Sequence, residues 1–205
     1  MRSLPLAASL IVALALGAGL LAIPSVRHAI FDLDLTVRNV QIAHHVAADN
    51  PLVIGLRSYG EGVVYVPVAL AFLITGWIRK NRWLVRRGWR LAAGLLLAGV
   101  LVWSFKLPAG RSRPREIVGP AVFKPFSGAA SFPSGHTASA AVLSANLAEW
   151  VPWAPAKAGF AVIAMGTAWA RIDEDKHWFS DVVAGALLGM LAWAVVRRVA
   201  DGPTD

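Results

Sequence analysis

The sequence predicts an all-α protein: a polytopic membrane helix bundle with about six transmembrane helices and an interfacial helical segment after the first. Three observations predict it. Of the 205 residues, 57% are hydrophobic and 16% charged, against about 25% charged in a typical soluble protein. A soluble domain of this size buries only about 70% of the surface its unfolded chain exposes, so much of this apolar surface would be left in water. The charges also gather in short clusters between uncharged runs, and the longest of these runs are able to cross about 30 Å of hydrocarbon. Finally, tryptophans collect near the ends of the runs: Trp77, Trp83, Trp89, Trp150 and Trp153 at one set of ends, Trp103, Trp169 and Trp178 at the other. That is the distribution of an aromatic belt.

Each element follows from the charge pattern. Ser3 to Val26 is uncharged and supplies a first span over about residues 4–24. Arg2 precedes it as in a signal peptide, but the run exceeds the usual apolar core of about 7–15 residues. Residues 25–61 mix Leu33, Leu35, Val37, Val40 and Ile42 with Asp32, Asp34, Arg38 and Asp49. This stretch is too polar to span and reads as one or two interfacial helices, with Pro51 breaking between them. A second span covers 62–78. Residues 79–90 carry Arg79, Lys80, Arg82, Arg86, Arg87 and Arg90 with no acid and read as a cytoplasmic loop. A third span covers 91–105, a fourth 134–153, a fifth 155–170 and a sixth 177–196. Residues 201–205 read as a frayed tail, and 1–205 as one domain without internal repeats.

With the basic loop inside, both termini are cytoplasmic, and 25–61, 106–133 and 171–176 face the outer side. The net charge of +8 is then divided among membrane flanks, and no basic stripe suited to nucleic acid remains. The absence of cysteine removes disulfides and thiolate metal sites.

Three polar clusters fall at span ends: Lys106 to Pro114 after the third span, Pro133 to His136 opening the fourth, and Arg171 to Asp181 between the fifth and sixth. The topology puts all three on one face, where ionisable groups are functional candidates. Lys106, Arg113 and Arg171 supply cations, and arginine's planar fork suits phosphate oxygens. Ser134 and Gly135 open a helix, whose free N–H groups and dipole favour an anion. His177 and Asp181 are four apart, so on a helix the carboxylate sits beneath the imidazole. It can hold one ring nitrogen and leave the other free to attack. His136 is a second imidazole, able to donate a proton to a leaving oxygen. Cations, a nucleophile and an acid together point to phosphoryl transfer.

These residues resemble the three-part signature of the type 2 phosphatidic acid phosphatase and vanadium haloperoxidase superfamily, K-x6-R-P, P-S-G-H and S-R-x5-H-x3-D. Lys106 with Arg113-Pro114 fits the first part, Pro133 to His136 the second, and Arg171, His177 and Asp181 the third. Ala170 stands where the pattern has serine, which removes a hydroxyl from the expected phosphate pocket. The resemblance implies the family's membrane branch and a lipid phosphate or lipid diphosphate as substrate, of the undecaprenyl diphosphate, phosphatidylglycerophosphate, phosphatidic acid or lipid A type. It implies His177 as nucleophile forming a phosphohistidine, Asp181 orienting it, and His136 protonating the leaving group. Lys106, Arg113, Ser134, Gly135 and Arg171 would hold the phosphate, with no metal or other cofactor. Location in a bacterial inner membrane, with the site facing the periplasm, follows from the same reading. A lipid-to-lipid phosphotransferase, or a lipid-binding or transport protein with a vestigial site, would share most of these residues.

Other polar residues invite plainer readings. Asp173, Glu174, Asp175 and Lys176 are expected to form a solvated turn, and Arg111 and Arg115 a basic surface near headgroups. His44 and His45 with Asp49 do not make a metal site, because adjacent helical side chains point apart. Tyr59 to Gly62 reads as an entry turn. The connection from Leu107 to Pro133, with five prolines, is expected to pack over the site.

Overall fold

The computed structural model describes residues 23–117 and 123–201. The first expected span, residues 4–24, therefore lies almost wholly outside the described residues. Those described are helical apart from turns, one short 3-10 helix and an isolated bridge between Arg111 and Phe123. Seven α-helices follow in order: α1 (Pro24–Ala43), α2 (Pro51–Tyr59), α3 (Gly62–Ile78), α4 (Arg82–Ala109), α5 (Gly135–Trp150), α6 (Ala154–Asp173) and α7 (Phe179–Asp201).

Local chemistry sets these boundaries. Pro24 and Pro51 open α1 and α2 at first-turn positions, where a missing N–H costs nothing. The Asn50 side chain caps α2 by accepting from Leu52 N at 2.9 Å. Asn81 caps α4, accepting from Trp83 N at 3.0 Å and Leu84 N at 3.2 Å. That cap corrects the expected basic loop at 79–90. Arg82, Arg86, Arg87 and Arg90 form the first turns of α4, and only Arg79 to Asn81 connect the helices. An apolar run marks where a helix becomes hydrophobic, whereas arginine is itself a good helix former. The charges are accommodated: Arg90 donates to Glu149 at 2.6 Å, and Arg87 lies 3.6 Å above the Trp83 ring. At its other end α4 stops at Gly110, with φ +52°. A Cβ there would lie 1.8 Å from Lys124 O, so only glycine makes this turn.

α5 is the central helix. It packs against α4, α6 and α7, while α3 leans on α4 and α2 on α6. Its buried face is built of small residues, Thr137, Ala138, Ala140, Ala141 and Ser144 among them, which lets the neighbours approach closely. At Gly185 of α7 a Cβ would sit 2.3 Å from Ser134 O. The outward faces carry large apolar side chains instead, including Val63, Trp77, Leu96, Trp103, Val162 and Leu187, each at least 60% exposed. Contiguous apolar surface of this kind needs hydrocarbon as its solvent.

By length and mean hydropathy, α4 and residues Phe179–Ala200 of α7 are able to cross a membrane. α2 and α3, bent by 53° at their break, make a third crossing if taken as one broken span. The fourth and fifth expected spans are helical, as α5 and α6, but these helices are shorter or more polar. The segment 25–61 folds as two helices with Pro51 opening the second.

Candidate active site

The C-terminal ends of α4 and α6 and the N-terminal ends of α3, α5 and α7 supply the polar residues of one end of the bundle. The turn after α6 delivers the nucleophile candidate. Lys176 N and His177 N both donate to Arg171 O at 3.2 Å, and Asp175 adopts a φ of +54°. The chain thus folds back beneath Arg171 before α7 begins. His177 Nδ1 then lies 3.6 Å from Asp181 Oδ2, and both side chains are buried. Burial pushes the His177 imidazole below its ordinary 6.5, and the charges of Arg171 and Lys106 push the same way. Asp181 opposes them without reversing the shift. The ring is therefore neutral at neutral pH, as a nucleophile must be.

Asp181 is held from several sides. Its carboxylate accepts from Ser131 Oγ at 2.5 Å, from Trp178 N at 3.0 Å and from Arg111 Nη1. Its carbonyl accepts from Ser134 N at 3.0 Å, which ties α7 to the Pro133–His136 segment. Ser134 is fully buried and caps α5, its Oγ accepting from Thr137 Oγ1 at 3.0 Å. The helix that begins there presents Gly135 and His136 to a cavity of about 260 Å³, shared with Lys106, Glu61, Gly62, Tyr65, Val102 and Trp103. Lys106 Nζ donates to Ala130 O at 2.6 Å. Lys106, Arg113 and Arg171 lie close enough to repel one another's charge, and Arg171 and His177 act likewise on His136. All eight residues singled out by the sequence thus meet in one neighbourhood. The hydroxyl of Ser134 is engaged within its own helix cap, so its offering to an anion is chiefly the helix terminus. Ala170 is fully buried.

Several expectations are corrected. Arg111 is 1% exposed rather than part of a basic surface. Its Nη1 also donates to Ser180 Oγ at 2.7 Å and its Nη2 to Asp34 Oδ2 at 2.6 Å. The stretch Asp173 to Lys176 is not a solvated turn, because Asp173 is buried and accepts from Gln41 and Val46 N, and the Glu174 side chain is covered by Arg171, Arg57 and Lys176. Glu174 accepts from Arg171 at 2.6 Å and from Arg57 and Lys176 at 3.1 Å each.

Helix α1 supplies functional candidates that the sequence reading passed over. Asp34 accepts from Ser180 N at 2.8 Å and Ser180 Oγ at 2.7 Å as well as from Arg111. Arg38 donates to Asp175 at 2.7 and 2.8 Å, and Gln41 to Asp173 Oδ1. His45 Nδ1 sits 3.4 Å from Asp173 Oδ2. Asp34, Arg38 and Gln41 are spaced four and three residues apart, as the helical repeat requires, a signal present in the sequence but masked by the apolar residues between; His45 lies just beyond the helix end at Ala43. Glu61, whose segment reads as an entry turn or as a lining of the headgroup pocket, lies 3.6 Å from His136 Nε2 and lines the same cavity.

Known proteins share the sequence family and the fold. Residues 87–204 match the family model described as PAP2 superfamily. Over 114 residues the chain is 35% identical to the Lipid A 1-phosphatase of Porphyromonas gingivalis, covering 54% of this chain and 23% of that protein. It is 28% identical to the Undecaprenyl-diphosphatase of Sulfolobus acidocaldarius over 78% of this chain and 75% of that one. Among solved structures, a transmembrane PAP2 type phosphatidylglycerolphosphate phosphatase from Bacillus subtilis superposes with a TM-score of 0.67 and 20% identity over 93% of each chain. LpxE of Aquifex aeolicus superposes with a TM-score of 0.59 and 23% identity, covering 81% of this chain and 93% of that one. The family match takes in most of α4, all of α5 to α7 and every motif residue from Lys106 to Asp181, more than half of the sequence: this chain belongs to the PAP2 superfamily.

Proposed function

We propose that the protein is an integral membrane phosphatase that hydrolyses a lipid phosphate or lipid diphosphate through a phosphohistidine. One observation carries the reading: a buried, neutral His177 backed by Asp181 lies among Lys106, Arg113 and Arg171, with His136 on the adjoining cavity. The relatives support the substrate class. Lipid A, undecaprenyl diphosphate and phosphatidylglycerol phosphate, named for three of them, are all amphiphiles bearing phosphate.

The chemistry proceeds in two displacements. The Nε2 lone pair of His177 attacks phosphorus while the bond to the leaving oxygen breaks, and His136, which takes up a proton from solvent when the phosphate anion binds beside it, gives that oxygen a proton. Lys106, Arg113, Arg171 and the N-terminus of α5 hold the three non-reacting oxygens, on which transition-state charge is spread. His136, now neutral, takes a proton from water. The resulting hydroxide attacks phosphorus, the P–N bond breaks, and its electron pair returns to Nε2. A monoester yields the lipid alcohol and inorganic phosphate; a diphosphate yields the lipid monophosphate and inorganic phosphate. These cations supply the charge stabilisation, so the mechanism requires no divalent metal.

The cavity walls combine headgroup-like polarity at Lys106, Glu61 and His136 with apolar Tyr65 and Val102 and the outward-facing ring of Trp103. That gradient suits a substrate whose tails remain in the bilayer. A six-span topology with the site on the periplasmic face of an inner membrane completes the reading. Purified protein in detergent with EDTA, offered a panel of lipid phosphates, should release inorganic phosphate, and His177→Ala should abolish release without loss of fold. A strict metal requirement, or turnover retained in that variant, would overturn the proposal.

A further inference from the structure

Asp34, Arg111 and Asp181 form a buried ionic triad, each at most 1% exposed. Arg111 lies between the two carboxylates, one hand on Asp34 at 2.6 Å and the other on Asp181. Such a guanidinium, paired with Asp181 alone, would cancel the charge that His177 needs behind it. Attack through Nε2 makes the imidazole cationic, because Nδ1 keeps its proton. A neutral Arg111–Asp181 pair would offer that cation little, and Lys106 and Arg171 already disfavour it. Asp34 changes the balance: with two carboxylates and one guanidinium the triad carries minus one, equal and opposite to the charge the ring acquires. In the interior one unit of charge at this range changes the strength of that interaction substantially.

We propose that Asp34 is a positioning residue of the site, acting through Arg111: it neutralises the guanidinium that orients Asp181, and so leaves Asp181 a full counter-charge for His177. The role is distinct from mere scaffolding, because Asp181 is also held by Ser131 Oγ and Trp178 N. The argument rests on the phosphohistidine reading given above.

The test uses full-length protein in detergent, with two readouts: turnover of a lipid phosphate, and the affinity for orthovanadate, a phosphate analogue, by vanadium NMR. Asp34→Asn keeps the shape and removes the charge. It should lower kcat and weaken vanadate at least about tenfold, with KM within about threefold. Adding Arg111→Gln restores the net charge to minus one and should recover about tenfold in both readouts. Ser180→Ala removes hydrogen bonds to Asp34 and Arg111 without changing charge, and should leave vanadate affinity within about threefold. A double variant no better than Asp34→Asn, or a Ser180→Ala loss as deep as that of Asp34→Asn, overturns the proposal. Should Asp34→Asn fail to fold, the double variant, which carries the wild-type minus one, must keep vanadate affinity within about threefold of wild type, and a deeper loss is equally decisive. Wild-type protein that binds vanadate but frees no phosphate from any lipid refutes the phosphatase reading alone, and the vanadate series still judges Asp34. Wild-type protein that binds no vanadate overturns both.

Discussion

Glu174 serves three cations at once, with 2.6 Å to Arg171 and 3.1 Å to both Arg57 and Lys176. Burial favours its protonated form, but Arg171, Lys176 and Arg57 together outweigh burial and hold the carboxyl below its ordinary 4.5. The same pairing that makes Arg171 tolerable in the interior competes with phosphate for its guanidinium. Glu174→Gln should therefore do two opposite things. Thermal unfolding should show a loss of about 3 kcal/mol, the cost of stranding a buried charge. Inorganic phosphate should inhibit more tightly by about tenfold, as expected when an internal competitor is removed. Weaker phosphate inhibition would count against the competition. Spacing within a motif announced His177, Asp181 and Arg171, because their geometry is local to one turn. It could not announce Glu174, whose partner Arg57 lies 117 residues away. Arg111 and Asp34, 77 residues apart, were hidden for the same reason.

Helix α1 is legible only in part at the level of elements. Its existence and its break before Pro51 follow from proline and polarity. That Asp34 fastens it to Ser180 and Arg111, and Arg38 and Gln41 to the turn after α6, depends on tertiary contact, which no periodicity names. α3 is read to its ends, since glycine precedes the apolar run and basic residues follow it. α4 is read too short because hydropathy ignores an arginine-rich first turn behind an asparagine cap. The approach of α7 to the start of α5 is likewise invisible in sequence, although a glycine marks it. Gly185→Ala should place a methyl against Ser134 O, 2.3 Å away, costing about 1–3 kcal/mol as an overpacked contact and displacing Gly135 and His136. Thermal unfolding and kcat should both fall. Gly159→Ala, where no atom lies within 4 Å, should leave both unchanged, and equal behaviour of the two variants would refute the close-contact account.

For the molecule as a whole, the buried site predicts lability to acid. His177 in the folded protein has its pKa below 6.5, so the unfolded chain binds more protons once the pH falls below that value. Stability is fully retained above about 6.5 and declines as pH drops toward the folded pKa. Glu174, depressed below 4.5, adds a second loss at lower pH, since its contribution is present above 4.5 and disappears as the carboxyl protonates. The unfolding temperature in detergent should decrease between pH 7.5 and 5, and His177→Asn should flatten that slope. An unaltered slope in the variant would assign the decline to other groups.

The triad also has a consequence for how the protein is made. Asp34 meets Ser180 across 146 residues, so the earliest described helix closes on nearly the last to be synthesised. α1 must wait for Ser180 while α2 to α6 leave the ribosome, with only Arg111 at hand for its acid. A chain interrupted within α6 has neither His177 nor Asp181. On the proposed mechanism, half-made copies are therefore inert toward lipid phosphate until the final helix docks.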